Sequence, residues 1–441
     1  MFRTDINYRK QCLIKLLHAI EENENEIANA LYKDFKKSEF EAYLTETFIV
    51  ISELKHIIKN INKWAKPKMV LPSILNFPSL DYVYKEPYGK VLIISPWNYP
   101  FQLAVSPAIA AIAAGNSVTI KPSELTPNTS ALIAKIFSNL FEKSHVEVIQ
   151  GGIETSQALL AKRWDYIFFT GSVNVGKIVA KAAANNLTPV TLELGGKNPC
   201  IIDKNCDLDI AAKRLVWGKF VNAGQTCIAP DYLIVEKSIK ENLIQKLINE
   251  IEISYSINQQ QSADYPRIIS KKNWERLVNF TKQQNIVYGG KHDENELFLS
   301  PTLIDEPSLE SPVMHEEIFG PILPILTYEH KNDIEQIVQK FEKPLALYVF
   351  SNDKKFSEEL ISKFSFGGGC VNDTLIHFAN NRLPFGGVGF SGIGAYHGKL
   401  SFDIFSHQKA IVKKATWLDI KLRYAPYKNK IETIKKFVNW L

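Results

Sequence analysis

Tyr166-Ile167-Phe168-Phe169-Thr170-Gly171-Ser172-Val173-Asn174-Val175-Gly176 sets a strand, a glycine turn and the start of a helix in one short stretch. The apolar run Tyr166–Phe169 reads as a strand covered on both faces. Gly171 breaks it, and 175–185 carries helical spacing. The same unit repeats on either side. Short apolar strands are predicted at 91–94, 117–120, 146–149 and 190–194, with helices at 102–114, 128–140 and 155–161 between them. Such alternation predicts βαβ units, hence a parallel, doubly wound α/β sheet of Rossmann type. Upstream, Leu13, Leu16, Leu17 and Ile20, then Leu54, Ile57, Ile58 and Ile61, mark amphipathic helices, and Asp81–Tyr88 reads as extended. Downstream, strands at 232–235, 323–326 and 345–350 with helices at 239–251 and 333–341 predict a second α/β section, and 411–414 reads as a last strand.

The chain has 441 residues, of which 45% are hydrophobic and 22% charged, a globular balance that excludes a disordered or collagenous protein. Fifty-two basic against 47 acidic residues leave a net charge of +5, scattered rather than massed, so no nucleic-acid partner is expected. Cys12, Cys200, Cys206, Cys227 and Cys370 form no CxxC pair, and His315-Glu316-Glu317 is not HExxH, so no metal site is written. An odd set of reduced thiols points to a cytoplasmic location. The longest apolar run, Phe101 to Ala114, is too short to span a bilayer, and no membrane anchor is expected.

Several residues carry chemistry, each with a plainer alternative. Gly171 and Gly176, spaced GxxxxG rather than GxGxxG, let a pyrophosphate approach a helix N-terminus or simply shape a βα turn. Lys121 and Glu124 end the second strand, where ligands of doubly wound sheets bind, or else cap the next helix. Asn98, bracketed by Pro96 and Pro100, is a fixed oxyanion donor or a turn asparagine. Glu193, at the end of an apolar strand before Gly195 and Gly196, is a desolvated general base or a paired sheet-end carboxylate. Cys12 and Cys200 read as buried core thiols, whereas Cys227 follows the polar turn Asn222-Ala223-Gly224-Gln225-Thr226, where a thiol can act as a nucleophile.

Together these pieces resemble the NAD(P)-dependent aldehyde dehydrogenase superfamily over nearly the whole chain. The motifs are Pro96–Pro100, Lys121–Glu124, Phe168–Ser172, Leu192–Lys197, Gly224–Cys227, Glu316–Pro321 (EEIFGP) and Pro384–Gly389 (PFGGVG), in family order. The 34 residues from Glu193 to Cys227 and the 90 from Cys227 to Glu317 are similar to the family spacing. Trp217–Tyr232, Gly389–Gly398 and a start at the first helices resemble the class 3, fatty and aromatic aldehyde, branch.

The resemblance implies oxidation of hydrophobic aldehydes, medium- or long-chain aliphatic or aromatic, to carboxylic acids. Cys227 would be the nucleophile, Glu193 the base that hydrolyses a thioester, and Asn98 with the Cys227 N–H the oxyanion donors. NAD, with NADP as a second option, would be held by Lys121, Glu124, Gly171, Ser172, Gly176, Glu317 and Phe319. It also implies an NAD(P)-binding domain at 1–72 and 90–194, a catalytic domain at 195–400, and a small β bridging element at 73–89 and 401–441 that pairs a homodimer. Two alternatives differ in chemistry. A coenzyme A-acylating relative would lack the base that Glu193 supplies, and a crystallin-like binding protein on the same scaffold would have a damaged site.

Overall fold

A computed structural model describes residues 5–438. The chain divides into two compact units. One comprises the residues up to Trp64 together with Pro87–His407, and the other comprises Ala65–Glu86 with the described residues from Gln408 on.

The first unit contains both large sheets. Five parallel strands run in the spatial order Val190–Glu193, Tyr166–Thr170, Lys90–Ile94, Ser117–Lys121 and Val146–Val148, and the short Gly392–Ile393 strand adds antiparallel to Val190–Glu193. From Lys90–Ile94 the chain first winds one way, through 117–121 and 146–148. It then returns to the other side through 166–170 and 190–193. The order reverses between Lys90–Ile94 and Tyr166–Thr170, and a crevice opens beyond the carboxyl ends of strands at such a switch point.

The helix Gln102–Ala114 is buried on every side, as its Ala-rich sequence demands, and Gly115 ends it with a left-handed φ of 96°. Ser172 caps the helix Val173–Ala184, its hydroxyl accepting from the Val175 N–H at 3.4 Å. Within that helix Gly176 faces the sheet. A Cβ there would lie 2.6 Å from the Leu194 side chain, so the glycine lets the helix sit close on the strand.

The second sheet has seven strands in the order Ile286–Tyr288, Thr302–Asp305, Ile322–Tyr328, Tyr232–Glu236, Pro199–Ile202, Ala346–Phe350 and Gly368–Val371. All pairs are parallel except the first. Pro199–Ile202 follows Val190–Glu193 after a five-residue connection, Leu194 to Asn198, that passes from one sheet to the other. In the second unit, Lys68–Val70, Ser79–Pro87 and Ser406–Lys414 form a three-stranded sheet. The last of these is longer than the 411–414 strand read from sequence.

Candidate active site

The strand ends of the first unit open into a cleft of about 620 Å³. Its walls include Trp97 and Asn98 after the Lys90–Ile94 strand, Thr170 to Asn174 after Tyr166–Thr170, and Glu193 to Lys197. Cys227, Glu317 and Phe319 are among the other residues that line it. The cleft therefore gathers Asn98, Glu193, Cys227, Gly171, Ser172, Glu317 and Phe319 from five separate segments. Lys121 and Glu124 stand one strand away, at the end of Ser117–Lys121, joined to each other at 2.6 Å, and do not line it. Burial alone would raise the Glu124 carboxyl, but the hydrogen bond and charge of Lys121 bring it below its ordinary value. Gly176 is turned to Leu194 rather than to the cleft.

Cys227 sits on a strained loop. Asn222, Ala223 and Gly224 take φ of 55°, 51° and 72° in succession, a left-handed run that L side chains rarely adopt. Only glycine fits the third position, because a Cβ would lie 2.3 Å from the Gly320 carbonyl oxygen. The strain is held by hydrogen bonds. The Asn222 amide N–H donates to Glu41 Oε1 at 2.9 Å, and its side chain donates to the Asn98 and Gln225 carbonyls at 2.9 and 3.1 Å. The Asn98 side chain in turn donates to the Gln225 carbonyl at 3.0 Å, and the Tyr99 and Thr226 hydroxyls meet at 2.6 Å. The segments bearing Asn98 and Cys227 are thus stitched directly to each other.

A buried ion pair braces the same turn from behind. Lys37 Nζ lies 2.7 Å from Glu46 Oε1, and Glu46 Oε2 accepts from the Phe101 and Gln102 N–H groups at 2.8 and 3.3 Å. Glu46 belongs to a five-residue π-turn, Tyr43–Thr47, a local widening common at functional sites.

Glu193 is only 2% exposed, and among the described residues neither of its carboxyl oxygens has a protein hydrogen-bond partner. Burial holds it well above the ordinary carboxylate range. Burial also raises the Cys227 thiol, and the charges of Glu317 and Glu193 raise it further, against the N–H groups of Cys227 and Ile228. Glu317 is pushed up to about 8, first by burial and then by Asp231, while the Gly196 N–H and nearby cations oppose the shift.

One ion pair, between two residues of the quoted motifs for which the sequence suggested no role, fixes this arrangement. Lys197 Nζ contacts Asp231 Oδ2 at 2.6 Å, and it also donates to the carbonyls of Val313 and Glu316 at 2.9 and 3.0 Å. Asp231 Oδ1 accepts from the Ile318 N–H at 3.0 Å. Arg276 donates to the Glu317 and Ile318 carbonyls at 3.2 and 2.7 Å. Next to Lys197, Asn198 donates to the Cys227 and Ala229 carbonyls at 2.8 and 3.0 Å. Lys197 lies four residues after Glu193, and Asp231 four after Cys227. Charged side chains beside apolar strands were the available signal. A second buried lysine, Lys219, was also missed. Burial lowers it to about 8, against the charge of Asp231.

A second cavity, of about 230 Å³, reaches the same centre from the opposite side. Phe48, Tyr99, Trp217, Phe378, Phe385 and Tyr396 give it an apolar wall, and Cys227, Glu193 and Thr170 border both cavities.

The cleft fits a dinucleotide. It lies at the switch point of a parallel sheet, and Gly171 and Gly195 keep its floor open. A Cβ at Gly195 would stand 2.2 Å from Glu317 Oε2. Among the described residues, Glu317 Oε1 and Thr170 Oγ1 are buried without protein partners.

Removing one partner of the Lys197–Asp231 pair leaves a buried charge uncompensated. Asp231→Asn should therefore cost about 3–5 kcal/mol of stability in urea unfolding at unchanged slope. A loss below about 1 kcal/mol would show that the pair is not structurally coupled to the fold.

Residues 1–411 match the model of the aldehyde dehydrogenase family. The 4,4'-diaponeurosporen-aldehyde dehydrogenase of Staphylococcus aureus is 49% identical over 98% of this chain and 95% of its own length. The aldehyde dehydrogenase family 3 member A2 of Pongo abelii is 45% identical over 96% and 87%. The structure of Staphylococcus aureus AldH in a substrate-bound state superposes with a TM-score of 0.97 at 48% identity, covering 99% of this chain and 96% of that one. Five motif-bearing segments converge on one half-buried thiol between a polar cleft and an apolar cavity, and the sequence agrees along almost its whole length: the chain belongs to the aldehyde dehydrogenase family, as an NAD(P)-dependent oxidoreductase acting on aldehydes.

Proposed function

We propose that this enzyme oxidises hydrophobic aldehydes, medium- or long-chain aliphatic or aromatic, to carboxylic acids, with Cys227 as nucleophile. The observation that carries this reading is that Cys227 and Glu193 lie where the polar cleft meets the apolar cavity. The aldehyde enters through the apolar side with its carbonyl at Cys227. The thiol gives up its proton, with Glu193 as the adjoining acceptor, and Sγ bonds to the carbonyl carbon. The oxygen so charged is received by the second N–H of the Asn98 amide, the first being held by Gln225, and by the Cys227 N–H.

The dinucleotide, when bound in the cleft, supplies the acceptor for the hydride that leaves this carbon. A thioester then remains on Cys227. Glu193, once it has released its proton towards solvent, takes one from water. That water attacks the acyl carbon, the C–S bond breaks, and acid and thiolate separate. Glu193 supports hydrolysis over transfer to coenzyme A, and the intact constellation supports an enzyme over a crystallin-like role.

For the cofactor, Ser172 and the Gly171 turn serve the pyrophosphate, Glu317 the nicotinamide-side ribose, and Phe319 the ring. Phe319 holds φ of 49° and meets Trp97 edge-on at 5.3 Å, a rigid wall for a flat group. Lys121 and Glu124 serve the adenosine ribose, where Glu124 favours NAD and Lys121 leaves NADP open. Gly176 contributes by seating its helix. The domain division at 1–72 with 90–194, 195–400, and 73–89 with 401–441 remains part of this reading. Leu71, Phe77, Trp417 and Tyr427 stand exposed in the second unit, which supports its use as the contact of a homodimer. Among the described residues no helix is long and apolar enough to cross a membrane, and a cytoplasmic location is proposed with the rest.

Each methylene buried in the apolar cavity is worth about 0.8 kcal/mol, so kcat/KM should rise about 4-fold per added carbon along straight-chain aldehydes until the cavity is filled. A profile that is flat or falls from acetaldehyde to octanal would contradict the substrate class. Cys227→Ala should abolish NADH formation while NAD still binds, as checked by absorbance and by calorimetry. Retained turnover in the purified variant would remove Cys227 as the nucleophile.

A further inference from the structure

Lys37 and Glu46 are both completely buried and stand 2.7 Å apart. The desolvation of two such charges commonly cancels or exceeds their attraction, and neutral residues of similar volume are often as stable. Packing alone therefore does not account for the pair.

Its other contacts do, because the pair holds four residues of one turn: Asn98, Tyr99, Phe101 and Gln102. Phe101 leads into the helix Gln102–Ala114 without a side-chain acceptor. Glu46 Oε2 accepts the Phe101 and Gln102 N–H groups instead, at 2.8 and 3.3 Å, and a carboxylate at a helix N-terminus is favoured by the dipole as well. Lys37 Nζ donates to the Asn98 carbonyl at 3.4 Å and stands 4.3 Å from the centre of the Tyr99 ring. An ammonium on a long stem serves a carboxylate, a carbonyl and an aromatic face at once, which no neutral side chain of this volume does.

On its other side the turn meets the Cys227 loop. The Asn98 carbonyl accepts from the Asn222 side chain at 2.9 Å, the Asn98 amide donates to the Gln225 carbonyl at 3.0 Å, and the Tyr99 hydroxyl meets Thr226 Oγ1 at 2.6 Å. Those three partners belong to the loop that bears the thiol. Lys37 and Glu46 come instead from the N-terminal helical segment, so they tie the turn to the body of the unit. Asn98 lines the cleft beside Cys227, whereas Lys37 and Glu46 line neither the cleft nor the apolar cavity.

We propose that Lys37 and Glu46 are positioning residues for the oxidation step, holding the Asn98 amide where the charged oxygen of the substrate forms. They act through the Asn98 turn and touch neither aldehyde nor dinucleotide. The inference rests on the reading of Asn98 as an oxyanion donor given above.

The test is the single-turnover rate of NADH formation from octanal and NAD. It compares the parent, Lys37→Met/Glu46→Gln, Asn98→Ala and the triple variant that combines them, with NAD binding by calorimetry and Tm measured on each. The pair is changed together so that no lone charge is left buried, and the glutamine keeps an acceptor for the Phe101 N–H. Lys37→Gln/Glu46→Gln keeps two amides in contact there and reports where the methionine variant does not fold. Both pair variants should slow NADH formation about 10- to 100-fold, as a displaced positioning group does. The NAD Kd and the octanal concentration giving half the maximal rate should stay within about 2-fold of the parent, because the lost interaction is made in the transition state. In the Asn98→Ala background the pair substitution should slow the reaction no further. A parent-like rate in Asn98→Ala would remove the oxyanion reading of Asn98 itself. A slow Asn98→Ala with parent-like pair variants would overturn this proposal alone. Equal slowing by the pair in both backgrounds, or NAD binding that weakens in step with the rate, would show a general packing role and overturn it too. Failure of both pair variants to fold would assign the pair to stability, with the same consequence.

Discussion

The buried pair of Lys197 and Asp231 is the interaction on which the centre depends. Each residue follows a strand or loop that ends in a titratable group of the cleft, Lys197 after Glu193 and Asp231 after Cys227. Their 2.6 Å contact fixes those two segments against each other. The remaining donors of Lys197 and the second oxygen of Asp231 take hold of the backbone from Val313 to Ile318, which carries Glu317. Burying two charges is costly, and such a pair is tolerated where its geometry and hydrogen bonding are complete. Here they are complete, and one contact sets the relative placement of a thiol and two carboxyl groups that lie far apart in sequence.

The centre so placed works against local electrostatics. Glu193 is buried, Glu317 and Cys227 are half-buried, and all three are held towards their neutral forms. Burial is the largest cause in each case, and the charges of Glu317 and Glu193 raise the thiol further. The left-handed run at Asn222 to Gly224 adds backbone strain, which the Glu41, Asn98 and Gln225 hydrogen bonds restrain. Rigidity at the loop and suppressed ionisation at the thiol have a common consequence. The Cys227 thiol is held in place by its loop, and its ionisation depends on what fills the cleft.

Much of this was legible in the sequence. Apolar runs bounded by glycine turns gave the strands of the first sheet to within a residue or two, because a strand buried on both faces leaves no freedom in composition. Helix 102–114 had the same limits in sequence and structure, since Gly115 stops it sterically. The motif residues around Cys227, Glu193 and Glu317 were visible for the same reason, as each sits beside a glycine that the close packing requires. The tight mutual pairing of Lys121 with Glu124 was not visible, and neither was the orientation of Gly176, because both depend on which way a side chain faces. Lys197, Asp231 and Lys219 lie inside the quoted motifs, but their residue types and spacing suggested no role. A lysine in a sequence looks solvated until the fold encloses it, and only the tertiary structure distinguishes a surface charge from a buried clamp.

The central claim is that Cys227 carries the acyl group and that Glu193 releases it. The most direct measurement is intact-protein mass spectrometry of Glu193→Gln after mixing with octanal and NAD. An octanoyl adduct confined to Cys227, with one NADH formed per site and slow turnover thereafter, is the predicted result. Full steady-state turnover with no adduct would contradict it.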